Sequence, residues 1–181
     1  PDPVAYTSLL HSSYAAAKRA DSSSFIVSGG LAPAMNVGSN IAPVDFLTSM
    51  YSNGAKNYFE AVGHHPYCYN EGDACVNNYG EFNAWSQMED TPVSLRSVMS
   101  ARGDSHKKIW ATEFGAPNYG LNSVTETVQS SMIRAAYEAY AGFSWGGPMF
   151  LYKHKDTGND LNNADDWFGL RDDSGTKKLS Y

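Results

Sequence analysis

Four short apolar runs recur along this chain at roughly forty-residue intervals, and the segments between them carry helical periodicity. The runs are SSFIVSGG (23–30), AVGHHPY (61–67), KKIWATEF (107–114) and PMFLYK (148–153). A first helix is expected from Pro3 to Arg19, with Tyr6, Leu10, Tyr14 and Ala17 on one face. A second opens at Pro43, has Val44, Phe46, Leu47, Met50 and Tyr51 in its apolar stripe, and closes near Asn53 and Gly54. Thr91 and Pro92 read as the N-cap and first residue of a third, which turns Leu95, Val98 and Met99 inward. Ser123 and Glu126 have capping-box spacing for a fourth, with Val128, Met132, Ala136 and Ala139 on one face. Strands alternating with helices predict an α/β fold with a parallel sheet in one domain, residues 1–181. Right-handed crossovers make that sheet either open and doubly wound or an arc of a (β/α)₈ barrel of the TIM type. No GxGxxG or GxxxxGK[ST] follows the first run, which weighs against a nucleotide-binding open sheet.

A net charge of −6, with Lys and Arg dispersed, opposes nucleic acid, and no apolar run approaches the length of a membrane helix. The informative excess is aromatic: twelve Tyr, eight Phe and four Trp, many beside Asn, Gly and Asp in predicted loops, where they offer stacking faces to neutral sugars. Tyr67, Trp85, Tyr119 and Trp167 are of this kind. The chain opens PDPVAY without a leader-like segment, so either a leader has been removed or the chain begins partway through something longer.

Cys68 and Cys75 lie in one polar loop, and a disulfide between them would imply an oxidising, secreted or extracytoplasmic location; two free thiols are the alternative. Two cysteines cannot build a structural zinc site, and the adjacent His64 and His65 on a strand point opposite ways, so neither a metal nor a cofactor is expected.

In parallel βα folds the site collects at the carboxyl ends of the strands. Those ends hold Gly29 and Gly30, then His65, Pro66 and Tyr67, then Glu113, then Lys153, His154 and Asp156. A lone strand-end Glu often only caps a helix or pairs with a Lys. An imidazole and a phenol on the neighbouring strand end make Glu113 the candidate for chemistry.

SGGLAP (28–33), PVDFLTSMYSNGAKNYFEAVGHHPY (43–67), IWATEFGAP (109–117) and PMFLYKHKDTG (148–158), ending in DWFGLRDDSGTKK, together resemble the carboxyl-terminal half of a known enzyme group. These are the cellulase-like retaining glycoside hydrolases of clan A, those grouped with families 5 and 39. The resemblance covers essentially the whole chain, and WATEFG is its most specific part. It implies strands five to eight of a (β/α)₈ barrel, a half barrel. It also implies that Glu113 is the nucleophile and that His65 and Tyr67 are the strand-six pair that contacts sugar and nucleophile. The strand-eight platform, commonly Trp, would fall to Phe150 or Tyr152, with Trp145 just before that strand and Trp167 just after it.

Retaining hydrolysis needs two carboxyl groups about 5 Å apart. The family's acid/base is a Glu after an Asn at the end of strand four, upstream of every segment matched here, so it is expected to be absent from this chain. Three arrangements remain open: a complementary amino-terminal half-barrel chain, a homodimer that buries the open strand edges, or a local carboxylate such as Asp156, Asp73 or Glu71. Glu71 does follow an Asn, but in the loop after strand six. The expected ligand is an oligosaccharide or polysaccharide with β linkages. A non-catalytic carbohydrate-binding half barrel is the alternative, and a generic α/β domain with Glu113 in an ion pair is a third reading.

Overall fold

The structure, a computed structural model, describes residues 1–68, 83–89, 93–120 and 122–181. Helix α1 (Pro3–Ala20) begins where the Asp2 carboxylate accepts the N–H groups of Val4 and Ala5, with Pro3 at its first position. Helix α2 (Pro43–Ser52) likewise starts on a proline and buries Val44, Leu47, Met50 and Tyr51. Strand β1 (Ala61–His64) is buried throughout. After it come α3 (Ala84–Glu89), α4 (Leu95–Ala101), β2 (Lys108–Phe114), α5 (Glu126–Ala141) and β3 (Gly146–Leu151). The strands form one parallel sheet in the order β1-β2-β3.

Several sequence expectations are corrected. The run at 23–30 is not a regular strand, because it touches β1 only through parallel bridges at Val27↔Ala61 and Leu31↔His64. Polar pairing holds its lower part instead: the Glu60 carboxylate accepts from Ile26 N–H and Tyr14 O–H and pairs with Lys18 Nζ at 2.8 Å. β1 stops at His64, so His65 and Tyr67 follow the strand rather than end it. Strand β3 begins two residues earlier than predicted, because Gly146 and Gly147, without side chains, let the backbone join β2.

Ser94 caps α4 in a reciprocal box with Ser97, while Thr91 and Pro92 lie outside the described residues. Thr125, not Ser123, caps α5, which places Glu126 at the first helical position. That shift turns Gln129, Met132, Ile133, Ala136 and Tyr140 into the core.

The helices pack on one side of the sheet: α1 on α2, α2 on α3 and α4, and α5 on β3. Leu47, Met50, Val62, Leu95, Met99, Ile109, Ala111 and Phe114 form the centre of that core. Across the sheet lies a row of nearly parallel rings. Phe25 sits 5.4 Å from Trp110, and Trp110 sits 6.1 Å from Phe150. Phe25 and Phe150 are 55% and 48% exposed, which is unusual for a parallel sheet, whose two faces are normally covered.

His64 ties the sheet to its surroundings, its neutral ring donating its single N–H to one of two carbonyls that face it. Its Nδ1 lies 2.7 Å from the Leu31 carbonyl and its Nε2 3.0 Å from the Ala84 carbonyl, with the ring fully buried. Burial outweighs these two acceptors and pushes the imidazole down to about 4. A base whose folded value is depressed confers stability that is complete above its ordinary value and declines as pH falls toward the folded one. Between about pH 6.5 and 4 the fold should therefore lose about 3 kcal/mol, readable by urea unfolding across that range. A His64→Gln variant should lack this slope yet keep the decline at more acid pH. Glu60 contributes to that second limb, as do Asp21 and Asp172, whose carboxyls are also held below their ordinary value by hydrogen bonds from Ser23 and Ser174. Desolvation would raise the Glu60 carboxyl, but Lys18, Ile26 N–H and Tyr14 together hold it below the ordinary value, so its contribution fades only as pH falls through that lowered value.

Candidate functional site

Simple alternation along β2 would send Glu113 to the same side as Ile109 and Ala111, into the helix-covered core. The ladder with β3 breaks this rule. Ala111 pairs with Met149 and Phe114 with Leu151, so β2 carries one extra residue between the two pairings. The bulge gives Phe114 the core position, where it is fully buried and edge-on to Trp85 at 5.8 Å. Glu113 is thereby delivered to the mouth of the sheet with its side chain 39% exposed.

There the carboxylate meets residues that follow β1. Tyr67 O–H donates to Glu113 Oε2 at 2.9 Å, and His65 Nδ1 lies 3.5 Å from the same oxygen. Glu113 Oε1 has no hydrogen-bond partner among the described residues, so one oxygen is held and the other is free. Partial burial lowers the His65 imidazole below its ordinary value, and the Glu113 charge only partly opposes this. The ring is accordingly neutral at neutral pH, and its approach to Glu113 is a polar contact rather than a full ion pair. His65 fits because Gly30 has no side chain: a Cβ there would fall 1.9 Å from Nε2.

Tyr152 and Phe168 complete the walls. Phe168 stands edge-on to Tyr67 at 5.9 Å and to Tyr152 at 5.4 Å. The Tyr152 phenol is raised by burial, then by the charges of Asp165 and Glu113, so it keeps its proton and remains a donor. Gly115 permits this approach, since a Cβ would lie 2.1 Å from the Tyr152 carbonyl oxygen. Sequence reading missed Phe168 because its partners are remote along the chain, and its only local signal was an aromatic in a Gly- and Asp-rich tail. Asp156 holds Gly169 N–H at 2.7 Å and pairs with buried Lys178, also at 2.7 Å.

Other predicted residues lie elsewhere. Trp85 is not a loop aromatic for sugar. It sits on α3, 2% exposed, packed against Phe114, Tyr140 and Phe143. Trp145 precedes β3 at the amino end of the sheet, opposite to Glu113, and stacks on Phe143 at 4.5 Å. Tyr119 and Trp167 pack on each other at 5.1 Å, and Trp167 Nε1–H donates to the Asp160 carbonyl. Tyr119 lines a cleft with Asn118 and Glu126 at the start of α5. Phe150 belongs to the ring row across the sheet, not to the Glu113 cluster. Cys68 is disulfide-bonded, and Cys75 lies outside the described residues, as do Glu71 and Asp73. Among the described residues no cluster of His, Cys, Asp and Glu has the makings of a metal site.

No protein-family model matches the chain, and no curated protein sequence does. Solved structures do match. A family 39 glycoside hydrolase from the gut symbiont Bacteroides cellulosilyticus WH2 superposes with a TM-score of 0.73 at 20% identity, covering 100% of this chain and 36% of that one. A β-glucuronidase from an uncultured Clostridium sp. gives 0.50 at 12% identity, covering 98% of this chain and 34% of its own. The chain thus spans about a third of the length of these structures. At such identities the likeness is one of fold: this mixed α/β chain with its parallel sheet has the architecture of part of a glycoside hydrolase.

Proposed function

We propose that this chain is the nucleophile-bearing, carboxyl-terminal half of a cellulase-like (β/α)₈ glycoside hydrolase that cleaves β-linked glycans with retention. The observation that carries this reading is the Glu113 carboxylate at the end of β2, with Oε2 held by Tyr67 and Oε1 free. In this mechanism Oε1 attacks the anomeric carbon as the glycosidic C–O bond breaks, and the leaving oxygen takes a proton from a second carboxyl group. The resulting glycosyl ester on Glu113 is then hydrolysed by water, which returns that proton to the second group. Tyr67 and neutral His65 orient Glu113, while Tyr152 and Phe168 wall the sugar site.

The second carboxyl group is assigned to residues outside this chain. Asp156 is unsuited to the role: it is 4% exposed and committed to Lys178 and Gly169 N–H. The uncovered ring row of Phe25, Trp110 and Phe150 supports a complementary set of strands packing there, since it occupies the sheet face that a closed barrel fills with side chains. A second copy of this chain is the other possible cover. It would set two Glu113 residues across the barrel, too far apart for retention and nearer to inverting geometry. The disulfide at Cys68 supports an extracytoplasmic location. A non-catalytic carbohydrate-binding half barrel is a second reading, favoured by the commitment of Asp156 to Lys178 and Gly169 N–H.

Three outcomes are expected. In the assembled enzyme Glu113→Gln should lower kcat on the order of 10⁴-fold while oligosaccharide binding persists, and full activity in that variant would end the assignment. Tyr67→Phe, which removes one charge-assisted hydrogen bond, should lower kcat by about tenfold to a hundredfold with little change in Tm. Light scattering should find the chain associated, either with itself or with an amino-terminal half barrel. A stable monomer with Trp110 freely quenched by solvent probes would remove the case for a covering partner.

A further inference from the structure

A cleft of about 470 Å³ lies where the segment after β2 runs into α5, lined by Asn118, Tyr119, Ser123, Val124, Thr125 and Glu126. Hydrogen bonds hold its frame. Val124 N–H donates to the Pro117 carbonyl at 2.9 Å and the Gln129 side chain to the Ala116 carbonyl at 2.8 Å. Asn118 N–H donates to the Trp167 carbonyl at 3.2 Å, while its Oδ1 accepts from Lys178 Nζ at 2.7 Å. Gly120, at φ +78°, lets the chain turn tightly against the Leu161 carbonyl, where a Cβ would lie 2.7 Å from the oxygen. The cleft is therefore preformed, and a ligand entering it meets little ordering cost.

Tyr119 is the aromatic member of the lining. Trp167 packs against its ring with centroids 5.1 Å apart, yet Tyr119 remains 57% exposed, so one face of the ring is backed and the other is open. The electron-rich open face of a ring held this way suits the C–H face of a pyranose. Around it stand the Tyr119 and Ser123 hydroxyls and the Glu126 carboxylate, none with a hydrogen-bond partner among the described residues. An ionised carboxylate only accepts, so Glu126 can take hydrogen bonds from two adjacent sugar hydroxyls, and each such bond is charge-assisted. Glu126 is also the one charged residue on the lining, which opposes a uronate or a sulfated sugar.

We infer that this cleft is a second carbohydrate-binding site, separate from the Glu113 cluster. It takes one neutral pyranose of a glycan chain, stacked on Tyr119 and hydrogen-bonded to Glu126, and discriminates against acidic sugars. The inference rests on the glycan reading above for the class of ligand, and not on Glu113 being the nucleophile. Both aromatic residues sit at the carboxyl end of the sheet: Tyr119 follows closely on β2, and Trp167 directly precedes Phe168, which walls the Glu113 cluster. The cleft thus holds a glycan at the same end of the sheet as Glu113 and takes no part in bond breaking.

The test titrates the chain, in the assembled state in which it is isolated, with cellopentaose and xylopentaose as neutral probes and pentagalacturonate as the acidic one. Calorimetry and intrinsic tryptophan fluorescence read the binding. At least one neutral probe should bind saturably, and equally well to wild type and Glu113→Gln. Tyr119→Ala and Glu126→Gln should each weaken it about tenfold or more, with circular dichroism unchanged. Pentagalacturonate should bind about tenfold more weakly than the neutral probe, and Glu126→Gln should narrow that gap. No saturable binding of either neutral probe, or unchanged affinity in both folded variants, would overturn the site and leave the nucleophile untouched. Equal affinity for the acidic probe would overturn the selectivity for neutral sugars. Full turnover by Glu113→Gln in the assembled enzyme would instead remove the nucleophile and leave this site standing.

Discussion

The extra residue in β2 between Ala111 and Phe114 is the constraint on which the candidate site depends. Ile109, Ala111 and Phe114 all face the helices, a spacing that a regular strand cannot give. The bulge reconciles them, and its by-product is a carboxylate at the mouth instead of one buried among Leu95, Met99 and Trp85. Burying an ionised carboxylate there without a partner would be costly, so the packing of Phe114 and the exposure of Glu113 are one choice.

Around that carboxylate the walls come from distant parts of the chain. Tyr67 and His65 follow β1, Tyr152 follows β3, and Phe168 comes from the tail. The tail is held by a buried pair, Asp156 with Lys178, and such a pair is tolerated only when its remaining hydrogen-bonding capacity is used. Here it is: Asp156 also accepts Gly169 N–H, and Lys178 also donates to Asn118 Oδ1 and the Trp167 carbonyl. The aromatic contacts of Phe168 inherit their position from this network.

The two sides of the sheet differ in a way that bears on assembly. The helix side is closed by apolar packing and by His64, whose ring nitrogens face the carbonyls of Leu31 and Ala84. The other side presents Phe25, Trp110 and Phe150 over a β1 strand that contributes only Ala61 and Gly63 there, so the rings align across it without obstruction. Parallel strands buried on one face only leave apolar area in water, and the driving force to cover it scales with that area. The same open face makes the chain chemically incomplete on the proposed reading.

Much of this was legible in the chain itself. The forty-residue recurrence of apolar runs specified parallel α/β architecture, and the run of Ile, Trp, Ala and Thr at 109–112 ending on an acidic residue marked Glu113, because strand periodicity and residue chemistry are local properties. The adjacency of His65 and Tyr67 to that carboxylate was also foreseeable, since neighbouring parallel strands end on the same side. What only tertiary structure decided were the quantities set by register and by contacts distant along the chain. The bulge that aims Glu113 arises from pairing with β3, not from any signal within β2. Trp85 looked like a sugar platform by composition and Trp145 by resemblance, yet one fills the core beneath Phe114 and the other lies at the opposite end of the sheet. Aromatic residues have the same affinity for apolar neighbours wherever they occur, and only the three-dimensional arrangement settles whether those neighbours are protein or ligand.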